Sequence, residues 1–254
     1  MTDPIELQVS DGIAVATLNR PDSYNALDLE AALAWQAIAH AVVDRDDVAA
    51  LVIAARGRAF CAGGDLRAMS AGGGALVDEI ARSLHDGIHT LVSSTLPVVA
   101  AVSGVVASGG LGLLLASDYA IAGETATFSA RYAAMGLTPD MSVTALLGRA
   151  VGERRALQLV LDDRSLTAAE AREWGLVAEV VPAADVATRS VAVATAWVAN
   201  GLAIGQTKRL IRAGHGRDLG SALDDERETI ARLFDGEESR ARVARFLDKP
   251  ATRG

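Results

Sequence analysis

The stretch Ser103-Gly-Val-Val-Ala-Ser-Gly-Gly-Leu-Gly-Leu-Leu-Leu-Ala-Ser-Asp118 decides how the rest of the chain is read. A β-branched apolar run, Val98 to Val106, leads into it, and an all-aliphatic turn, Leu113 to Ala116, leads out. Gly109, Gly110 and Gly112 lie between. The pattern predicts a buried strand, a close approach of backbone, and a buried helix that begins at the glycines. A helix start presents unpaired N–H groups and the positive end of a dipole. Glycine lets a ligand atom reach those groups without meeting a Cβ. The stretch is therefore a candidate binding point for a negatively charged oxygen, with close helix packing as the alternative use of its small residues. It is no dinucleotide loop: the G-x-G-x-x-G order and the acidic residue after a second strand are both absent.

Working outward, Ile5–Ser10 and Ile13–Asn19 flank Asp11-Gly12, a hairpin signal. Apolar residues recur at helical spacing from Leu27 to Val42, with Asp28 placed as an N-cap. Val48–Ala55 is an uninterrupted apolar strand of the kind found inside a covered sheet. A second glycine loop, Gly57 to Leu66, follows it. Ala71–Ala75 is expected as a mobile surface turn, and a helix from about Leu76 to Ser93 carries His85 and His89 one turn apart. Ligands collect at the carboxyl ends of strands in open α/β sheets, which puts the loops near Ala62 and Gly110 on one side of the molecule. Thr167-Ala-Ala-Glu170 opens a helix that Gly175 can close. From Asp185 onward the chain is nearly all helix, charged on one face and striped with Leu233, Phe234, Val243, Phe246 and Leu247 on the other.

The chain has 254 residues, half of them apolar and only 4% aromatic, so its core is expected to be built from Ala, Val and Leu. Net charge is −8, and only Lys208 and Lys249 of the 24 basic residues are lysines. No basic run exceeds a pair, which argues against a nucleic-acid partner. An anionic ligand would have to meet local groups such as Arg20, Arg56, Arg58, Arg67 or Lys249. The single cysteine, Cys61, rules out an internal disulfide, and without a Cys/His cluster no metal site is expected. The longest apolar stretch is broken by serines and glycines, so no membrane span is expected, and the N-terminus has no signal pattern. The default location is cytoplasmic.

Several separated motifs, in order, resemble the crotonase superfamily of enoyl-CoA hydratases and isomerases. They are Arg20-Pro21 with Asn25-Ala26-Leu27, Phe60-Cys-Ala-Gly-Gly-Asp65-Leu66, Ser103-Gly104 followed by Gly109-Gly110, and Ala116-Ser-Asp118. Gly175-Leu176-Val177 and the closing Arg245-Phe246-Leu247-Asp248-Lys249 agree. The resemblance implies an α/β fold, a spiral of ββα units over about residues 1–195, with a helical C-terminal region, 196–254, that assembles trimers or dimers of trimers. It implies an acyl-CoA substrate and no separate cofactor. Carried over by motif, the thioester oxygen would be held by the N–H groups of Ala62 and Gly110. Ala62, Gly63, Gly64, Asp65, Leu66, Tyr24, Ala26 and Tyr132 would line the substrate.

A hydratase of this family places two glutamates where Gly112 and Tyr132 stand here. The segment Gly136-Leu-Thr-Pro-Asp140 instead resembles the isomerase branch, in which one aspartate serves as base and acid. Asp140 would move a proton from C2 to C4 of a 3-enoyl thioester, and burial among Met135, Leu137 and Met141 would make it the stronger base. From local sequence alone Asp140 is equally an N-cap for a helix starting at Met141. Other readings are a hydratase-like enzyme, a dehalogenase-like hydrolase with Asp140 as nucleophile and His85 beside it, and a non-catalytic acyl-CoA binder. Tyr132, Met135, Met141 and Trp35 are candidates for the acyl pocket, Trp35 being the one more readily explained by core packing.

Overall fold

The computed structural model describes residues 3–248; Lys249 lies outside them. In chain order the strands are β1 (Ile5–Ser10), β2 (Ile13–Leu18), β3 (Ala50–Ala55), β4 (Ala59–Cys61), β5 (Val98–Val102), β6 (Val105–Ala107), β7 (Tyr119–Gly123), β8 (Thr127–Ser129), β9 (Ser165–Thr167) and β10 (Glu179–Val181). The α-helices are α1 (Leu29–Val43), α2 (Leu66–Ser93), α3 (Gly109–Leu115), α4 (Val143–Val151), α5 (Glu153–Leu161), α6 (Ala168–Trp174), α7 (Val186–Asn200), α8 (Leu202–Gly214), α9 (Leu219–Phe234) and α10 (Glu237–Leu247).

Two sheets share the strands, one in the order β1-β2-β3-β5-β7-β10 and one in the order β4-β6-β8-β9. Only the β1–β2 and β8–β9 pairings are antiparallel. Each of β3, β5 and β7 passes the chain to its successor β4, β6 or β8 in the second sheet, which generates the expected spiral of ββα units. The Val98–Val106 run is accordingly two strands rather than one. Gly104 makes the corner between them at φ +72°, where an added Cβ would lie 2.0 Å from the Arg58 carbonyl oxygen.

Local signals placed the other elements. Asp11 and Gly12 both adopt positive φ in the hairpin turn, as a two-residue turn requires. Asp28 caps α1 through the Ala31 N–H at 2.9 Å. Thr167 and Glu170 form the reciprocal capping box of α6, and Gly175 ends that helix in the left-handed region. The glycine run 72–74 differs from expectation: α2 starts ten residues earlier than read, at Leu66, and the run is a kink within it at Gly73.

The main core lies between the sheets and α1, α2 and α3, with Trp35, Phe60 and Phe128 fully buried. Trp35 packs on Gly87 of α2, where a Cβ would sit 2.6 Å from its Nε1, so it belongs to the α1–α2 contact. A second cluster joins Val52, Val99 and Ile121 of the large sheet to Val186, Val193 and Ala194 of α7. The expected boundary at 195/196 thus falls inside a helix packed on that sheet. Buried Lys208 anchors α8 by donating to the Leu91 and Leu96 carbonyls (2.8 and 2.6 Å) and pairing with Asp118 at 3.0 Å. Among the described residues no helix is long and apolar enough to cross a membrane, and no cluster of metal-ligating side chains occurs.

Candidate active site

The two glycine loops meet because β4 and β6 are parallel neighbours. An added Cβ on Gly63, whose φ is +98°, would lie 2.6 Å from Ser108 Cβ and 3.1 Å from the Gly109 nitrogen. Both loops therefore lie on one side, as expected, and the gap between them admits only glycine.

The fate of each backbone N–H in the first loop can be followed. Ala62 donates to the Tyr24 carbonyl at 3.1 Å, and Asp65 donates to the Leu27 carbonyl at 2.9 Å. Gly63 points at Cys61 Sγ at 3.4 Å. Between Ala62 and Asp65, only the Gly64 N–H has no hydrogen-bond partner among the described residues. This corrects the expectation for Ala62: its amide is spent on the fold, and the free donor is two residues further on. At the second loop, α3 begins at Gly109, and the N–H groups of Gly109 and Gly110 both lack partners among the described residues. Gly110 is packed against the main chain of Cys61, where a Cβ would lie 2.2 Å from its carbonyl oxygen. The amide that adjoins the first loop is that of Gly109.

Rigid supports hold this pair. Leu27 N–H donates to the Gly63 carbonyl at 2.8 Å, completing a bridge on either side of Gly64. The Asp65 carboxylate caps α2 through Arg67 and Ala68 N–H, both at 3.2 Å, and contacts Arg20 at 3.4 Å. Arg20 also pairs with Asp28 at 2.6 Å and donates to the Ala26 carbonyl. Asp65 and Ala26, expected to line the substrate, are thus bound into the scaffold. Buried Asn25 accepts from Arg20 N–H at 2.8 Å and donates to the Arg56 and Ala59 carbonyls at 2.9 and 2.7 Å. Tyr24 and Leu66 stand exposed at the rim, and the Arg58 guanidinium lies 4.2 Å from the Tyr24 ring centroid.

The Tyr132 hydroxyl donates to Asp140 Oδ1 at 2.9 Å. Burial pushes the Tyr132 phenol well above its ordinary value, and the Asp140 charge adds to the shift, so it stays a donor. Asp140 does not cap α4: that position belongs to Ser142, and the Asp140 side chain is engaged by Tyr132 instead. The apolar surround expected for Asp140 is incomplete, because Met135 and Leu137 are exposed and only Met141 is buried.

Met141 connects this pair to the second loop. An added Cβ on Gly109 would lie 2.5 Å from its sulfur, and one on Gly112 would lie 2.3 Å from its carbonyl oxygen. The place a side chain at position 112 would need is therefore filled by the residue next to Asp140. Met141 and Ser142 are both left-handed (φ +49° and +67°), and the Met141 N–H donates to His85 Nε2 at 3.0 Å. The resemblance that set His85 beside Asp140 is matched in that His85 meets the neighbouring residue; that the contact is to the Met141 main chain is set by how α2, α3 and the 140–142 turn meet in the fold.

The structure thus gathers main-chain N–H groups from two loops and, joined to the second loop through Met141, a carboxylate held by Tyr132. Comparison with known proteins agrees with that class. The family model for enoyl-CoA hydratase/isomerase matches residues 8–253. A probable enoyl-CoA hydratase of Rhodobacter capsulatus is 35% identical over 96% of this chain and 95% of its own. A 4-chlorobenzoyl coenzyme A dehalogenase of Arthrobacter is 31% identical over 96% and 91%. The crystal structure of an enoyl-CoA hydratase from Bacillus anthracis superposes with a TM-score of 0.92 at 26% identity, covering 96% of each chain. The chain belongs to the enoyl-CoA hydratase/isomerase family, of crotonase fold, whose members act on acyl-CoA thioesters.

Proposed function

We propose that this chain isomerises a 3-enoyl-CoA to the conjugated 2-enoyl-CoA by moving one proton from C2 to C4. The observation that carries the reading is the Asp140 carboxylate fixed by Tyr132, with the next residue, Met141, seated on Gly109 and Gly112 of the second loop. The thioester oxygen sits between the N–H groups of Gly64 and of the α3 start, Gly109 with Gly110 beside it. Asp140 takes the C2 proton through its unanchored oxygen, and negative charge develops on the thioester oxygen as the dienolate forms. Each preorganised donor stabilises that charge by roughly 2.7–4 kcal/mol. Asp140 then returns the same proton to C4, so nothing is gained or lost. A two-carboxylate hydration has no second carboxylate to use, because Tyr132 and Gly112 stand in those places.

The substrate brings its own CoA, and the reaction needs no further cofactor. Trimers or dimers of trimers in the cytoplasm complete the reading, through exposed Leu219, Leu223, Ile230 and Phe234 on α9 and Phe246 on α10. Light scattering on the purified chain tests the assembly.

A second reading has its own support. His85 lies against the residue after Asp140, and a relative is named as a chlorobenzoyl-CoA dehalogenase. There the Asp140 carboxylate would attack the ring carbon and expel halide, and water would then cleave the resulting aryl ester to give the hydroxyaryl-CoA and restore the carboxylate. The test is a spectrophotometric assay with 3-enoyl-CoA, in which absorbance rises as conjugation forms. Asp140→Asn should lose about 10²–10⁴-fold in kcat while still binding a saturated acyl-CoA. Full activity in that variant rejects the base. Chloride release from a chloroaryl-CoA, hydration of crotonyl-CoA, or binding without turnover marks each competing reading.

A further inference from the structure

We propose that His85 is a positioning residue for the reaction proposed above, a main-chain clamp that holds the turn carrying Asp140 and Met141. Three observations converge on it. Met141 and Ser142 are consecutive non-glycine residues in the left-handed region, each of which raises the energy of the turn. Backbone strain of this kind persists only where surrounding contacts impose it, and it concentrates at functional sites. The contact here is the hydrogen bond from Met141 N–H to His85 Nε2 at 3.0 Å, from a helix far away in sequence. The held turn then does two things. It sends Asp140 to the Tyr132 hydroxyl, and it lays the Met141 side chain along α3 from Gly112 to Gly109.

An imidazole nitrogen has one lone pair, and at Nε2 it is already used. His85 therefore accepts through Nε2 with its proton on Nδ1, and it cannot use that nitrogen to activate water while the turn is in place. Its contribution is geometric: Asp140 moves with the Met141 amide. By the same connection Met141 stays packed on the α3 start, where the proposed reaction holds the thioester, so loosening the clamp loosens the choice of acyl chain as well.

The experiment compares His85→Ala and His85→Gln in the full-length chain. Glutamine presents a carbonyl oxygen that can accept the same N–H bond but has no acid–base chemistry near neutral pH. Three readouts are taken: kcat and KM on 3-enoyl-CoA of several chain lengths, Kd for the matching saturated acyl-CoAs, and hydrogen–deuterium exchange at the 140–142 segment. H85A should lose ten-fold or more in kcat with little change in KM. It should narrow the differences in Kd between chain lengths and speed exchange at Met141. H85Q should recover most of each. A glutamine variant as inactive as H85A but with Met141 protected would show that the ring acts chemically and would overturn the clamp. Unchanged exchange in H85A would overturn it whatever the reaction is. A wild-type chain that isomerises nothing, yet loses Met141 protection in H85A, would sink the isomerase reading and leave the clamp standing.

Discussion

Gly112→Ala is a single methyl group placed where the structure has no space. The new carbon would lie 2.3 Å from the Met141 carbonyl oxygen and 2.4 Å from its Cβ. Ordinary contact needs roughly 3.5 Å, so the turn must retreat by about 1 Å. Neither side gives easily, because α3 is buried throughout and the turn is tied to His85 and Tyr132. Overpacking of this kind costs about 1–3 kcal/mol. At about 2–4 °C per kcal/mol for a chain of this size, Tm should fall by about 2–12 °C. Activity should fall further than stability, since displacing a catalytic group by about 1 Å can cost on the order of 100-fold. Thermal unfolding and the 3-enoyl-CoA assay measure the two effects on one preparation. A variant with wild-type Tm and kcat would refute the seating of Met141 on Gly112. So would a Gly112→Glu variant that hydrates crotonyl-CoA without loss of stability.

Tyr132→Phe removes the only side-chain donor to Asp140 among the described residues. A hydrogen bond to a charged group is worth about 1.5–3 kcal/mol, so kcat should drop roughly 10–100-fold with KM for the thioester unchanged. Asn25→Ala leaves the Arg20 amide and two carbonyls without their partner, and urea unfolding should show a loss of at least about 3 kcal/mol. The Arg209 and Arg217 guanidinium groups bonded to Asp225 hold its carboxyl below the usual carboxylate range. A lowered folded value means the stabilisation is complete above the ordinary carboxylate value and disappears as pH falls through the folded one. Protection factors in α8 and α9, corrected for the intrinsic pH dependence of amide exchange, should therefore fall in acid, and Asp225→Asn should abolish that dependence; an unchanged acid response in the variant would point elsewhere.

The parts of the fold that follow from neighbours in sequence were legible. The hairpin at Asp11-Gly12, the caps at Asp28 and Thr167 and the stop at Gly175 depend on a few adjacent residues, and each stands where the sequence puts it. The glycines of the opening stretch do mark a helix start with free N–H groups. What escaped depends on partners brought in by the fold. Nothing near Ala62 signals that its amide is taken by Tyr24, which shifts the free donor to Gly64. A strand over Pro97–Ser103 was legible and is β5, but the three-residue β6 that follows Gly104 is too short to show a period of its own. Left-handed Met141 and Ser142 carry no compositional mark, since glycine would have been the residue to expect there.

The bridge that brackets Gly64 has an evolutionary consequence. The groups assigned to grip the thioester belong to the peptide backbone rather than to any side chain, and the stitches to Leu27 orient that of Gly64 before any ligand arrives. Descent with modification can therefore rewrite the residues standing over the acyl group, one codon at a time, while the grip passes unaltered from one chemistry to the next.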